Sequence, residues 1–465
     1  MSPRPSLERV PGRDADSHAV GRAGVAGRRQ MPGPIRRDCP LRATEVMICI
    51  AYTPARWSSW RGLRFTAWPT AGNLEGKLNG QVNKNLEGLR HLAMTDQIKL
   101  QINPIRNYHV NGHMLPYTDF VPQLFNWAVS LGFQPRRIMP SQAFCSDESQ
   151  GFPVIMITKH FGTFPFNHGQ VGGVVSTGRH GPYAAHGHDL VIIQASHVGF
   201  DPHSNTFGSY KRVQTMPESC SASCGKLESI LCWYQNEYAF ACENLLLHTK
   251  DGREAITVDS NLTDESRNEG LFLRADRLFE FEAGSYKYPL QILSTSKTFA
   301  AAKPFVDTVG HSAFREARPT PVGERLTANL FNYKRDIPLT VEGRHHIENI
   351  LLRFMPRIVT SQFPILSGAL LTTQMEFDRT YRSIVKEGAY LDRNLIFISG
   401  LNIDMWPLEN QLFPMTKFVP WAAFVQTEGE APRILEQGEL LEVLRGQPTE
   451  NPHQIKLDDS IDRMG

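Results

Sequence analysis

DLVIIQAS, residues 189–196, sets Leu, Val and two Ile in consecutive positions and runs into the histidine of ASHVGFD (195–201). A short apolar run rich in β-branched residues predicts a buried strand. FPVIMIT (152–158) and NLIFISGLNI (394–403) read the same way, and REAITVDS (253–260) and PLQILSTS (289–296) predict further strands. Helical spacing lies between them. YTDFVPQLFNWAVSLGF (117–133) repeats apolar residues at helix period and closes on Gly132. GKLESILCWYQNEYAFACENLLL (225–247) places Leu227, Ile230, Leu231, Tyr234, Tyr238, Ala241, Cys242 and Leu245 on one stripe, and HHIENILLRFM (345–355) predicts a shorter helix. Strands alternating with helices predict an α/β layered domain.

The bulk numbers narrow the class. With 465 residues, 41% hydrophobic and 21% charged, the chain has an ordinary globular composition and length for two or three domains. A formal net charge of +2 gives no electrostatic reason to expect nucleic acid or a membrane surface as partner. The apolar stretch VMICIAY (46–52) is too short to cross a bilayer. Seven cysteines spread over so long a chain argue against a disulfide framework and for a reducing, cytoplasmic setting with free thiols. Up to Thr70 there are twelve arginines, no lysine and five acidic residues, which predicts disorder over residues 1–93. That segment reads as extraneous to the globular part, or as an organelle transit peptide. Residues 94–300 form the expected functional domain, with 301–465 either a C-terminal extension or an elaboration of the same domain.

The chemistry concentrates in Cys145 of FCSDES (144–149), His197, and Cys224 of SCSASCGKL (219–227). Two thiolates and one imidazole suit a tetrahedral zinc whose fourth position stays open. Cys145 follows a strand end and His197 follows a predicted strand, the edge where α/β sheets form ligand crevices. Cys224 opens the long helix, where the macrodipole is expected to lower a thiol pKa. Asp147, two residues beyond Cys145, can orient a water or occupy the fourth position itself. An arginine would hold such a carboxylate.

Those motifs resemble the limiting-CO2-inducible B/C proteins, relatives of the β-class carbonic anhydrases. The matching pieces are CSDE (145–148), FGTFPFNHGQVGG (161–173), ASHVGFD (195–201), FGSYKR (207–212) and CSASCGKL (220–227). The resemblance implies a β-carbonic-anhydrase-like α/β domain around a mainly parallel sheet, in a homodimer. It implies Zn2+ held by Cys145, His197 and Cys224, with Asp147 as gatekeeper. It also implies a lyase in which zinc hydroxide attacks CO2 to give bicarbonate. The β-class pattern has an arginine two residues after the aspartate, where this chain has Ser149. Arg212 is the candidate to replace it, with Arg179 behind it. Phe144, Val198 and Phe200 are expected to line a CO2 pocket, and His160, His168, His186 and His188 are candidates to relay the proton.

Plainer readings stand beside these. Cys232 and Cys242 read as core residues of the helix, and Cys220 rivals Cys224 as the third ligand. His186 and His188 read as a solvated loop, and GQVGGVV as close backbone packing rather than a phosphate cradle. Three functions compete with a CO2-hydrating enzyme. One is a catalytically silent zinc protein acting as a scaffold or binding subunit, which the missing arginine favours. Another is a zinc hydrolase of a small CS2-like or ester substrate. The weakest is a cysteine redox enzyme, since the close pair is C-x-x-x-C.

Overall fold

The computed structural model describes residues 108–457, apart from 177–188, 212–219, 265, 283–284, 287–288, 317, 339–342, 391–392 and 408–414. These residues fall within one compact unit, Thr70–Gly465. The disordered segment expected over 1–93 lies outside the described residues.

In chain order the principal elements begin with β1 (Leu115–Pro116), α1 (Tyr117–Ser130), β2 (Ile138–Ala143) and α2 (Gly151–Phe161). Next come β3 (Phe166–Asn167), β4 (Asp189–Asp201) and α3 (Gly225–Asn244), then β5 (Leu245–Lys250), β6 (Arg253–Asp259) and β7 (Ser296–Ala300). The chain continues with α4 (Gly343–Leu351), α5 (Pro364–Lys386), β8 (Leu395–Met405), β9 (Thr416–Gln426) and α6 (Gln437–Arg445). The central sheet runs β1-β9-β8-β4-β2-β3. Its inner pairs β8–β4, β4–β2 and β2–β3 are parallel, while β9 joins antiparallel. This is a mixed α/β fold whose central sheet is largely parallel.

Burial on both faces explains the apolar runs. All of β8 and all but the end residues of β4 are buried, as expected of parallel strands covered by helices. Alternation then divides the side chains between layers. Val191, Ile193, Ile396 and Ile398 pack with Phe120 and Leu124 of α1 and Leu440 of α6, whereas Leu190, Ile192, Leu395 and Phe397 pack with Phe377 and Ile384 of α5. Each such side chain contributes about 1.5–3 kcal/mol by leaving water. β5, β6 and β7 belong to a second, antiparallel sheet of five strands. Among the described residues no helix is long and apolar enough to cross a membrane.

Two strand expectations fail: PLQILSTS contains only the two-residue strand Gln291–Ile292, with Leu290, Ile292 and Leu293 exposed, and the regular strand begins at its last residue, Ser296. FPVIMIT lies inside α2, where Pro153, Met156, Ile157, His160 and Phe161 form the buried face. In a seven-residue apolar run, helix and strand periods look alike, and Gly162 in the left-handed region closes the helix. The predicted long helix also stops at Asn244, since LLL begins β5. Cys232 and Cys242 are only half-buried, although Cys242 packs against the main apolar cluster.

Candidate metal centre

The parallel strands deliver three of the side chains to one sheet edge. β2 ends at Ala143, two residues before Cys145. His197 sits inside β4, which extends to Asp201, beyond the end expected from its apolar run. Its register partner on β8 is Asn402, so Asp404, two residues on, faces the same side. Cys224 is the N-cap of α3. Its approach is fixed by backbone bonds: Gly199 N donates to Ser223 O at 3.0 Å and Ser223 N to Gly208 O at 2.9 Å.

Cys145, His197 and Cys224 are all buried, and their ligand atoms lie within 4.8 Å of one another. This group could hold a metal ion. His197 Nδ1 is 2.9 Å from Asp404 Oδ2, which places the proton on Nδ1 and turns Nε2 toward the sulfurs. Nε2 is buried and makes no hydrogen bond. A buried polar atom without a partner needs an explanation, and here it faces two sulfurs. The donor set therefore fits zinc, which takes thiolate and imidazole at about 2.0–2.3 Å.

The two sulfurs differ in charge. Cys145 is lowered to about 4, chiefly by the proton that Cys224 directs at it, against the cost of burial, with His197 and the Gly172 N–H assisting. Cys224 is pushed up by the same pairing and by burial. The helix N-terminus was expected to make Cys224 the thiolate; the direct S–H contact outweighs the dipole. Burial opposes a charged His197, but the bond to Asp404 and the two sulfurs raise its proton affinity overall.

Asp404 is the functional residue that sequence reading missed. It accepts from Ser149 Oγ at 2.8 Å, Ser223 Oγ at 2.9 Å and Gln150 Nε2 at 3.0 Å, besides His197. Asn402 then donates to Gln150 Oε1 at 2.7 Å, and Tyr117 OH to Asn402 Oδ1 at 2.8 Å. This buried chain locks the imidazole. Ser149, which stands where the β-class pattern has arginine, is thus committed to Asp404. The only available signal was the polar NID in an otherwise apolar strand at 402–404.

Asp147 Oδ2 lies 3.8 Å from His197 Nε2, facing the donor set. Burial and the neighbouring Glu148 raise its carboxyl to about 7. Among the described residues no arginine pairs with it. Arg212, Arg179, His186 and His188 lie outside the described residues, as does the side chain of Cys220. His160 and His168 are buried, and desolvation lowers both to about 4, so neither titrates near neutrality as a relay would need. Val198 and Phe200 share an apolar cluster with Cys145 and Cys224, whereas Phe144 points into the cluster beneath α1. The glycine loop is closely packed as expected: a Cβ at Gly169 would overlap the Phe144 backbone.

A buried pair of thiols and an imidazole at the carboxyl edge of a largely parallel sheet form a group that could hold a metal ion. Residues 114–280 match the family described as limiting CO2-inducible proteins B/C beta carbonic anhydrases. No curated protein matches the sequence. Among solved structures, PtLCIB4, described as a homolog of the limiting CO2-inducible protein LCIB, is 11% identical with a TM-score of 0.41, covering 70% of this chain and 95% of that one. The limiting CO2-inducible protein LCIB is 13% identical with a TM-score of 0.37, covering 72% and 100%.

Proposed function

We propose that the protein is a zinc-dependent, carbonic anhydrase-like lyase converting CO2 to bicarbonate. The observation that carries this reading is the buried, partnerless His197 Nε2 grouped with the sulfurs of Cys145 and Cys224. The family match over 114–280 supports the choice of substrate. In this reading Cys145, His197 and Cys224 hold the ion. When bound, zinc supplies Lewis acidity that brings the pKa of water from 15.7 to about 7, so a nucleophile exists at neutral pH. Asp404 keeps the proton on His197 Nδ1, leaving Nε2 to donate its lone pair. Asp147, raised to about 7, accepts a proton at its carboxylate above that pH and holds one below it. We assign the arginine partner of Asp147 to Arg212, with Arg179 behind it. Val198 and Phe200 keep the surroundings apolar. The reading includes a homodimer and a reducing, cytoplasmic compartment that leaves both thiols free.

A second reading is a catalytically silent zinc protein serving as a scaffold or binding subunit. Ser149 favours it, because that side chain is engaged with Asp404 and does not supply the missing guanidinium. Stopped-flow CO2 hydration by the zinc-loaded chain and its Cys145→Ala variant separates the two. One zinc per chain with hydration that vanishes in the variant supports the lyase. One zinc per chain with no hydration above background from pH 6 to 9 supports the scaffold. A chain that retains no zinc overturns both.

A further inference from the structure

Glu376 of α5 is completely buried and lies outside the donor set. Its Oε1 is 2.9 Å from His346 Nε2, and its Oε2 accepts from Arg379 Nη2 at 2.6 Å. The same Oε2 also accepts the backbone N–H of Val175 at 2.9 Å. Arg379 Nη2 in turn donates to the Val175 carbonyl. One ion pair thus grips both polar backbone groups of a single residue on a distant segment. A buried carboxylate costs several kcal/mol unless paired and hydrogen-bonded, so this cluster needs a structural reason.

Val175 supplies that reason. Residues Gly169–Gln170 and Val174–Val175 pair as a small antiparallel hairpin, and Gly172 at its tip donates its N–H to Cys145 Sγ at 3.0 Å. Gly172 has φ +77°, and a Cβ there would overlap the Ile347 side chain, next to His346. On the opposite side Gly169 lies against the Phe144 backbone. The hairpin is held between the end of β2 and the α4–α5 pair, and its exit is clamped by Glu376 and Arg379.

We propose that Glu376, braced by Arg379 and His346, is a positioning residue that aims the Gly172 N–H at the Cys145 sulfur and so sets that sulfur's donor strength toward a bound metal ion. The inference rests on the reading of Cys145 as a ligand. Hydrogen bonds to a coordinating sulfur draw off its charge and tune the metal it holds.

Cobalt-loaded full-length chain provides the test, because thiolate-to-cobalt charge transfer reports sulfur donor strength independently of turnover. Glu376→Ala should shift the charge-transfer band to longer wavelength, as the sulfur becomes electron-richer and a stronger donor, and tighten cobalt binding about 10-fold in chelator competition. Glu376→Gln keeps an acceptor for Val175 N–H and should restore the band most of the way. A purely structural role would lower the melting temperature of both variants without moving the band. If Glu376→Ala does not fold, Arg379→Met, at a side chain 29% exposed, carries the same test with a smaller shift. A folded variant with band and affinity unchanged overturns the proposal alone. Absence of any thiolate–cobalt band in the unaltered chain overturns the ligand reading, and the proposal with it.

Discussion

The donor set and its support come from different halves of the chain. Cys145, His197 and Cys224 lie within 114–280, the stretch that matches the family. Asp404, Asn402 and Glu376 lie well beyond it, on β8 and α5, yet one orients the imidazole and another anchors the hairpin against Cys145. Donors are recognisable in sequence because metal chemistry restricts residue type. Their supports are carboxylates and amides that many sequences place anywhere.

If the halves divide labour this way, damage to each should look different. Replacing a donor removes part of the metal's binding energy outright. Cys145→Ser should cost on the order of 3–5 kcal/mol, roughly a third of the 10–16 kcal/mol typical of structural zinc, and dialysed protein should retain no zinc by elemental analysis.

Acid offers a milder way to act on the donor half. His168 bridges β2 and the hairpin: its N–H donates to Gln142 O at 3.0 Å, and its ring faces Ser176 O. Desolvation lowers it from 6.5 to about 4. A depressed folded value means that the unfolded chain takes up the proton first. Stability is complete above pH 6.5 and falls as pH drops toward 4, by about 3 kcal/mol at 1.36 kcal/mol per unit. Urea melts across that window should show the loss, and His168→Gln should flatten the slope.

Replacing the support of the imidazole should leave metal bound but loosely. Asp404→Asn should weaken zinc 10–100-fold in chelator competition and cost about 1–3 kcal/mol, because Ser149, Ser223 and Gln150 lose a shared acceptor. Loss as severe as that of Cys145→Ser would erase the distinction between the halves. At the small end, Cys232→Ala on the half-exposed flank of α3 should change stability by less than about 0.5 kcal/mol and leave metal content untouched.

Much of this arrangement was legible in the sequence, for identifiable reasons. β4 and β8 declared themselves because burial on both faces demands unbroken apolar runs. The donors stood out by type and by their places at strand ends. FPVIMIT misled because seven apolar residues carry no usable period, and only the contacts of α2 with α1 decide it. Asp404 was hidden because its meaning depends on the parallel register that sets it two residues past the partner of His197. The charge on the two sulfurs depended on a contact between residues 79 positions apart, which no local rule supplies.

The place of β8 within the central sheet has a temporal consequence. It inserts between β4 and β9, so β4 keeps one edge unpaired until β8 has been made. Cys224 and Asp404 are 180 residues apart, and ribosomes add about 5–20 residues per second. For about 10–35 s a nascent chain would display both thiols and the imidazole with nothing to orient the ring, beside an open strand edge. If these side chains hold a metal ion, the oriented donor set exists only once Asp404 has been added to the chain.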